Sequence, residues 1–128
     1  MDRSAPPVSA RFLSSSRVPP SERVLHLVTQ CVARDFGLDQ EALLMPTRGA
    51  PRTALARQVA IYLAHVCFGL SFAAVGRMFQ RDRTTVAHAC RVIEDRRDDR
   101  DLDRRLTLLE RACRRSPEHS RLGADAER

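Results

Sequence analysis

Lysine is missing from this 128-residue chain, so all 22 of its cationic side chains are arginine. Such a bias acts along the whole chain, and a single arginine is therefore not read as a contact; only uneven distribution is informative. No apolar run approaches the ~20 residues that a membrane-crossing helix needs, and the first residues lack the apolar stretch of a secretory signal. The expectation is a cytoplasmic protein with no membrane partner. The four cysteines follow no C-x-x-C pattern, and no H-x-x-x-H occurs. His65 with Cys67 and His88 with Cys90 are each two residues apart, which on a helix points them to different faces. No metal site is expected. Cys31, Cys67, Cys90 and Cys113 lie in apolar helical patterns and read as buried small hydrophobes in a reducing compartment, and His26 reads as helix surface. The sequence also holds no G-x-x-x-x-G-K-[ST] loop and no evident Ser-His-Asp, paired-acid or Cys-His arrangement. No enzymatic activity and no cofactor are expected.

Charge is distributed unevenly. Residues 1 to 47 carry five arginines and five acids, residues 98 to 128 eight and eight, and residues 48 to 97 nine arginines against three acids. The formal net charge of +6 thus belongs to the middle segment. A basic excess confined to one segment is the footprint of a polyanionic partner, because neutralised phosphates release counterions.

That segment also carries a motif. Ser71 is a suitable N-cap, and Phe72, Val75, Met78 and Phe79 follow at helical spacing. Gly76 inside this helix costs roughly 1 kcal/mol against Ala, which suggests close approach of another helix. Gln80 to Arg83 break the pattern as a turn, with Asp82 placed to cap the helix that follows. In that helix Val86, Ala89, Cys90 and Ile93 define a buried face. The opposite face presents Thr84, His88, Arg91 and Asp95, flanked by Arg83, Thr85 and Arg96. Arginine suits guanine edges, threonine methyls suit thymine, and hydroxyls and amides at a helix start suit phosphate. This is the pattern of a DNA-reading helix-turn-helix.

The rest of the chain builds around it. Residues 1–20 hold four Pro and five Ser and predict a disordered arm,. Ser21 is expected to cap a helix to about Phe36, with Val24, Leu25, Val28, Val32 and Phe36 on one face and Gly37 as its stop. Leu38 to Leu44 reads as a short helical turn, and Thr47 to Arg52 as a basic loop in which Gly49 and Pro51 block regular structure. From Thr53 to Phe68 a helix is apolar nearly all round, which places it at the centre of the domain. Arg96 to Asp101 reads as a solvated break. Asp101 or Asp103 then caps a last helix whose stripe of Leu102, Leu106, Leu108, Leu109 and Cys113 reads as core. The expected organisation is an arm at 1–20, a domain at 21–116 and a flexible tail at 117–128.

The run Arg81-Asp82-Arg83-Thr84-Thr85-Val86-Ala87-His88-Ala89 resembles the signature Gly-Gly-Arg-Asp-His-Thr-Thr-Val-x-His-Ala of the C-terminal DNA-binding domain of the bacterial replication initiator DnaA. Ala56-Arg57-Gln58-Val59-Ala60-Ile61-Tyr62-Leu63-Ala64 resembles that family's Pro-Arg-Gln-x-Ala-x-x-Leu-Ala helix, and Leu70-Ser71 to Gly76 its Leu-Ser-x-x-x-x-Gly. The resemblance covers residues 22 to 112. It implies an all-α fold, a small bundle of about five to six helices of Trp-repressor-like type. It also implies that Asp82, Thr84, Thr85 and His88 meet DNA in the major groove or at its phosphates, with Arg57 and Gln58 on the DNA backbone. Either Arg48 or Arg52 would serve in the minor groove, and Arg81, Arg83 and Arg91 complete the candidate DNA-binding set. The chain departs from the family in a turn one residue shorter, in Arg83 where His is usual and in Ala56 where Pro is usual. The function implied is sequence-specific binding of double-stranded DNA at initiator-type sites by a monomer, regulating replication initiation or transcription. The alternative is a protein-interaction regulator acting on the initiator or its turnover, with DNA binding weak or lost; its partners would be the initiator or replication-regulatory proteins.

Overall fold

The computed structural model describes residues 19–45 and 50–120; of the arm expected over residues 1–20, all but Pro19 and Pro20 lies outside them, and Pro20 already belongs to the first helix. The order is α1 (Pro20–Phe36), a 3-10 helix (Gln40–Leu44), α2 (Pro51–Phe68), α3 (Phe72–Phe79), α4 (Arg83–Arg96) and α5 (Arg100–Arg114). No strand occurs among the described residues, so the fold is all-helical as the sequence predicts.

Helix α2 contacts every other element, which is why its sequence lacks a polar face,. Val59, Ala60, Leu63 and Ala64 are fully buried. Around it close Val24, Val28 and Val32 of α1, Leu43 of the 3-10 helix, Val75 and Phe79 of α3, Val86 and Ile93 of α4, and Leu106 of α5. Fully burying a side chain of this size stabilises by about 1.5–3 kcal/mol, so this one cluster ties all six elements together. Cys31, Cys67 and Cys113 bring α1, α2 and α5 together at a second point, where their three free thiols lie close enough to influence one another's ionisation.

The boundaries differ from the sequence expectations for local reasons. Proline leads both α1 and α2: Pro20 and Pro51 occupy the first helical position, where a missing N–H costs nothing,. Pro51 therefore starts regular structure instead of blocking it, and Ser21 is inside α1 rather than its cap. Gly37 ends α1 in the left-handed region at φ 67° as expected,. The cap of α5 is Asp99, not Asp101 or Asp103; its side chain accepts from the amides of Asp101 and Leu102. Leu108 is 57% exposed and leaves the core stripe to Leu102, Leu106, Leu109 and Cys113.

Two polar clusters were hidden in the sequence. Gln40 donates to the Thr29 hydroxyl at 2.9 Å and to the His26 carbonyl at 3.1 Å, and its amide lies 3.2 Å from His26 Nδ1. His26 is thus half-buried against the 3-10 helix and not on an open helix surface. Arg97 is not part of a solvated break. Its guanidinium donates to Asp103 and Glu110 at 2.6 Å each, to the Tyr62 hydroxyl at 3.0 Å and to Thr107 at 3.2 Å, pinning the α4–α5 connection to α2. Burial opposes the guanidinium charge, but these bonds outweigh it and raise its pKa further.

Beyond α5 the chain stays on the domain as far as residue 120, where the expected tail meets two contacts. Glu118 pairs with Arg23 at 2.8 Å, and His119 meets the Phe68 ring edge-on at 5.8 Å. Residues 121–128 lie outside the described part.

Candidate nucleic-acid interface

The short helix α3 begins at Ser71, whose hydroxyl accepts from the Ala74 amide at 3.1 Å. It ends on Gln80, held at φ 56° in the left-handed region. The Arg81 amide donates back to the Gly76 carbonyl at 2.8 Å, closing the turn on the helix end,. A Cβ on Gly76 would lie 2.6 Å from the Arg81 carbonyl oxygen. The close approach inferred at Gly76 is therefore made chiefly by the backbone of the turn, with the first residue of α4 next, its Arg83 amide nitrogen 3.6 Å from that Cβ position.

Asp82 occupies the N-cap of α4, yet its side chain caps no amide. It accepts instead from the Thr84 hydroxyl at 3.4 Å, a long bond. The first amides of α4 are thus left without a side-chain partner, at the positive end of the helix dipole. Val86, Ala89, Cys90 and Ile93 are buried as the spacing predicts. Arg83, Thr84, Thr85, His88 and Arg91 are all exposed on the outer face. Such a ridge, with its leading amides open, matches the way a recognition helix meets base edges and phosphates.

The remaining candidates divide. Arg57 donates to the carbonyls of Leu43 at 2.9 Å and Ala42 at 3.2 Å. Arg81 reaches the Met45 carbonyl at 3.0 Å and the Phe79 carbonyl at 3.2 Å. The two guanidiniums therefore satisfy carbonyls at the end of the 3-10 helix and fasten it to the turn before α4. Burial, and then the neighbouring charge of Arg81, lower the pKa of Arg57. This anchoring role escaped the sequence reading, since nothing in a linear pattern pairs an arginine with carbonyls about fifteen residues away. Arg52 is exposed on the first turn of α2, with its Nη2 3.9 Å from where a Cβ on Gly37 would stand. Gln58 is half-buried on the same helix. Arg48 lies outside the described residues.

A helix-turn-helix with these features has known relatives. The family model for the bacterial DnaA protein helix-turn-helix matches residues 25–93, more than half of the chain. The chain belongs to this DnaA helix-turn-helix family. Chromosomal replication initiator protein DnaA of Bartonella quintana is 40% identical over 100 residues, spanning 75% of this chain and 20% of that protein. DnaA of Mesorhizobium japonicum is 41% identical over 87 residues, 66% of this chain and 17% of its own length. A crystal structure of a DNA replication initiation factor superposes with a TM-score of 0.66 at 28% identity, covering 73% of this chain and 29% of that one. The DnaA-like chain thus spans about a fifth of the length of these relatives. Within the match fall the whole of α2, α3 and the exposed ridge of α4, together with Ala56 and Arg83.

No helix among the described residues is long and apolar enough to cross a membrane. Among them, no group of His, Cys, Asp and Glu is arranged to hold a metal ion.

Proposed function

We propose that this domain binds double-stranded DNA sequence-specifically through α4, at sites like those of the initiator, as a monomer that regulates replication initiation or transcription. The observation that carries the reading is the ridge Arg83, Thr84, Thr85, His88 and Arg91. It is exposed, and apart from the long Thr84–Asp82 bond none of its side chains is committed to an internal partner among the described residues. Arg83 adds a guanidinium at the helix start, which favours a guanine there. The matched segment of the family is a DNA-binding helix-turn-helix and not a catalytic domain, and we propose that the chain acts through binding alone, without ATP turnover.

A second reading, an interaction factor acting on the initiator or its regulators, draws support from one observation. Arg57 and Arg81 spend much of their donor capacity on carbonyls of the domain itself, leaving less for phosphates. Fluorescence anisotropy against an initiator-type duplex and a scrambled duplex at physiological salt separates the two. A preference of roughly a hundredfold or more supports the first. Equal binding to both duplexes that vanishes with salt, followed by an unbiased duplex selection that enriches no sequence, overturns it. ATP hydrolysis by clean protein would overturn the proposal of binding alone.

A further inference from the structure

Residues 98 to 120 hold six arginines and six acids in the sequence, and the fold uses the two signs differently. Several acids of this region are engaged within the domain, while Asp98 and Asp101 stay exposed. Asp103 and Glu110 meet Arg97 at 2.6 Å, and Asp99 holds the first amides. Nearby, Asp35 neutralises Arg105 at 2.7 Å and Glu118 neutralises Arg23 at 2.8 Å. What remains outward is the stripe Arg100, Arg104, Leu108, Arg111 and Arg115, directly opposite the buried Leu102, Leu106, Leu109 and Cys113.

The side chains of the four arginines are exposed and have no hydrogen-bond or ion-pair partner among the described residues. They run for about 22 Å along the helix. Asp101, at the edge of the stripe, is unpaired as well. Arg100 with Arg104, and Arg111 with Arg115, stand four residues apart on one face, where like charges repel and weaken a helix. An arrangement that costs the isolated domain stability is offset when a polyanion lies along it.

We propose that this α5 face is a second DNA-binding surface, which holds the phosphate backbone of a further duplex segment while α4 occupies its site. The inference rests on the reading of α4 as a DNA reader. A duplex presents one charge per about 1.7 Å of axis, so the length of the stripe meets a continuous row of phosphates, which guanidiniums bind as bidentate forks. A protein partner is disfavoured by composition. Protein interfaces centre on aromatic and aliphatic anchors, and this face has Leu108 alone. A second copy of the chain is disfavoured because Arg104 and Arg111 would meet their own kind across an antiparallel pairing centred on Leu108. Helix α5 packs on α1 and α2, whereas the reading helix α4 packs on α2 and α3. The two basic surfaces are therefore carried by different elements. The α5 contact would be to backbone only, blind to sequence and strongly salt-dependent.

The test is a bridging assay with the full chain. A biotinylated duplex carrying the preferred site is immobilised, and a fluorescent duplex of unrelated sequence is offered in solution. Wild type is expected to capture the second duplex, with one protein copy per bridged pair. The variant R104E/R111E/R115E is expected to lose capture at least tenfold while binding the immobilised site within about twofold of wild type. R104K/R111K/R115K is expected to retain most of the capture. None of the three arginines has an internal side-chain partner among the described residues, so these variants should still fold, with the circular-dichroism melt shifted only by the changed charge pattern along the helix. Should the triple reversal fail to fold, the single reversals carry the same readout with smaller losses. Three results overturn the inference while leaving the α4 reading intact: site binding without capture, capture unaffected by charge reversal, or capture only by paired copies. Suppression of capture by R83A/H88A together with unchanged α5-dependent binding in solution supports both. Absence of any sequence preference, with salt-sensitive binding that still falls in R104E/R111E/R115E, sinks the α4 reading and keeps the α5 surface.

Discussion

Gly76 and the Arg81 carbonyl face each other at a distance that admits no side chain: a Cβ on the glycine would stand 2.6 Å from that oxygen. The neighbour is backbone, in the turn that sets α3 against α4, and it cannot swing aside. Gly76→Ala gains helix propensity of roughly 1 kcal/mol but forces the turn open. A net loss of about 1–2 kcal/mol is expected, read as a drop in thermal midpoint, with weaker DNA binding because α4 is re-aimed. Gln80→Gly, at φ 56°, should do the reverse and stabilise by up to about 1 kcal/mol,. A more stable Gly76→Ala would refute this account of the turn.

Arg57 and Gln58 are neighbours with different duties. Arg57→Ala removes the donors to Leu43 and Ala42, so both stability and DNA affinity should fall, stability by about 1–2 kcal/mol,. Gln58→Ala should leave the melt within ~0.5 kcal/mol of wild type. Paired denaturation and anisotropy curves check this, and an Arg57→Ala variant of unchanged stability would return Arg57 to a purely DNA-facing role.

Arg97 joins two carboxylates, a phenol and a hydroxyl in one half-buried site. Arg97→Ala strands Glu110 with only Arg114, 4.0 Å away, and leaves the Tyr62 hydroxyl without its donor. A destabilisation of about 2–3 kcal/mol is expected, less than for a fully buried pair because the arginine side chain keeps 24% of its exposure,. A double-mutant cycle with Glu110→Ala should show coupling; strict additivity would mean that the network is incidental.

On α4 the expected signature is one of specificity. Arg83→Ala, Thr85→Ala and His88→Ala should each weaken binding to the preferred site by about 1–3 kcal/mol with little effect on a scrambled duplex. Arg52→Ala should weaken both duplexes alike and lower the salt slope by about 1. Equal losses on both duplexes for the α4 variants would remove base reading from this helix.

Cys31 is half-exposed, and its bond with Cys113 draws its thiol pKa down to about 7, while burial pushes Cys90 up to about 11. The thiolate is the nucleophile, so alkylation of Cys31 should accelerate as pH rises through about 7, well before Cys90 reacts. Cys113→Ala removes the stabilising bond and should move that midpoint upward. Mass spectrometry of labelled peptides across pH reads both, and an unmoved midpoint would rule out the bond as the cause.

The sequence by itself determined the helices, the central place of α2 and which face of α4 is exposed. Periodicity and burial are local consequences of side-chain hydrophobicity at 3.6-residue spacing, and Val86, Ala89, Cys90 and Ile93 announce their face without any partner being known. The family was legible too, because the turn and helix motifs are contiguous in the chain. Tertiary structure alone decided where the arginines go. Arg57, Arg81 and Arg97 look like Arg83 in a linear reading, yet they meet carbonyls, carboxylates and a phenol brought from other segments, while the Arg83 side chain meets none among the described residues. It likewise decided which acids around the last helix are engaged, leaving an arginine stripe without side-chain partners among the described residues. Hydrophobic pattern fixes which face of a helix is buried, but the fate of a long flexible charge depends on which oxygens the fold happens to carry within its reach.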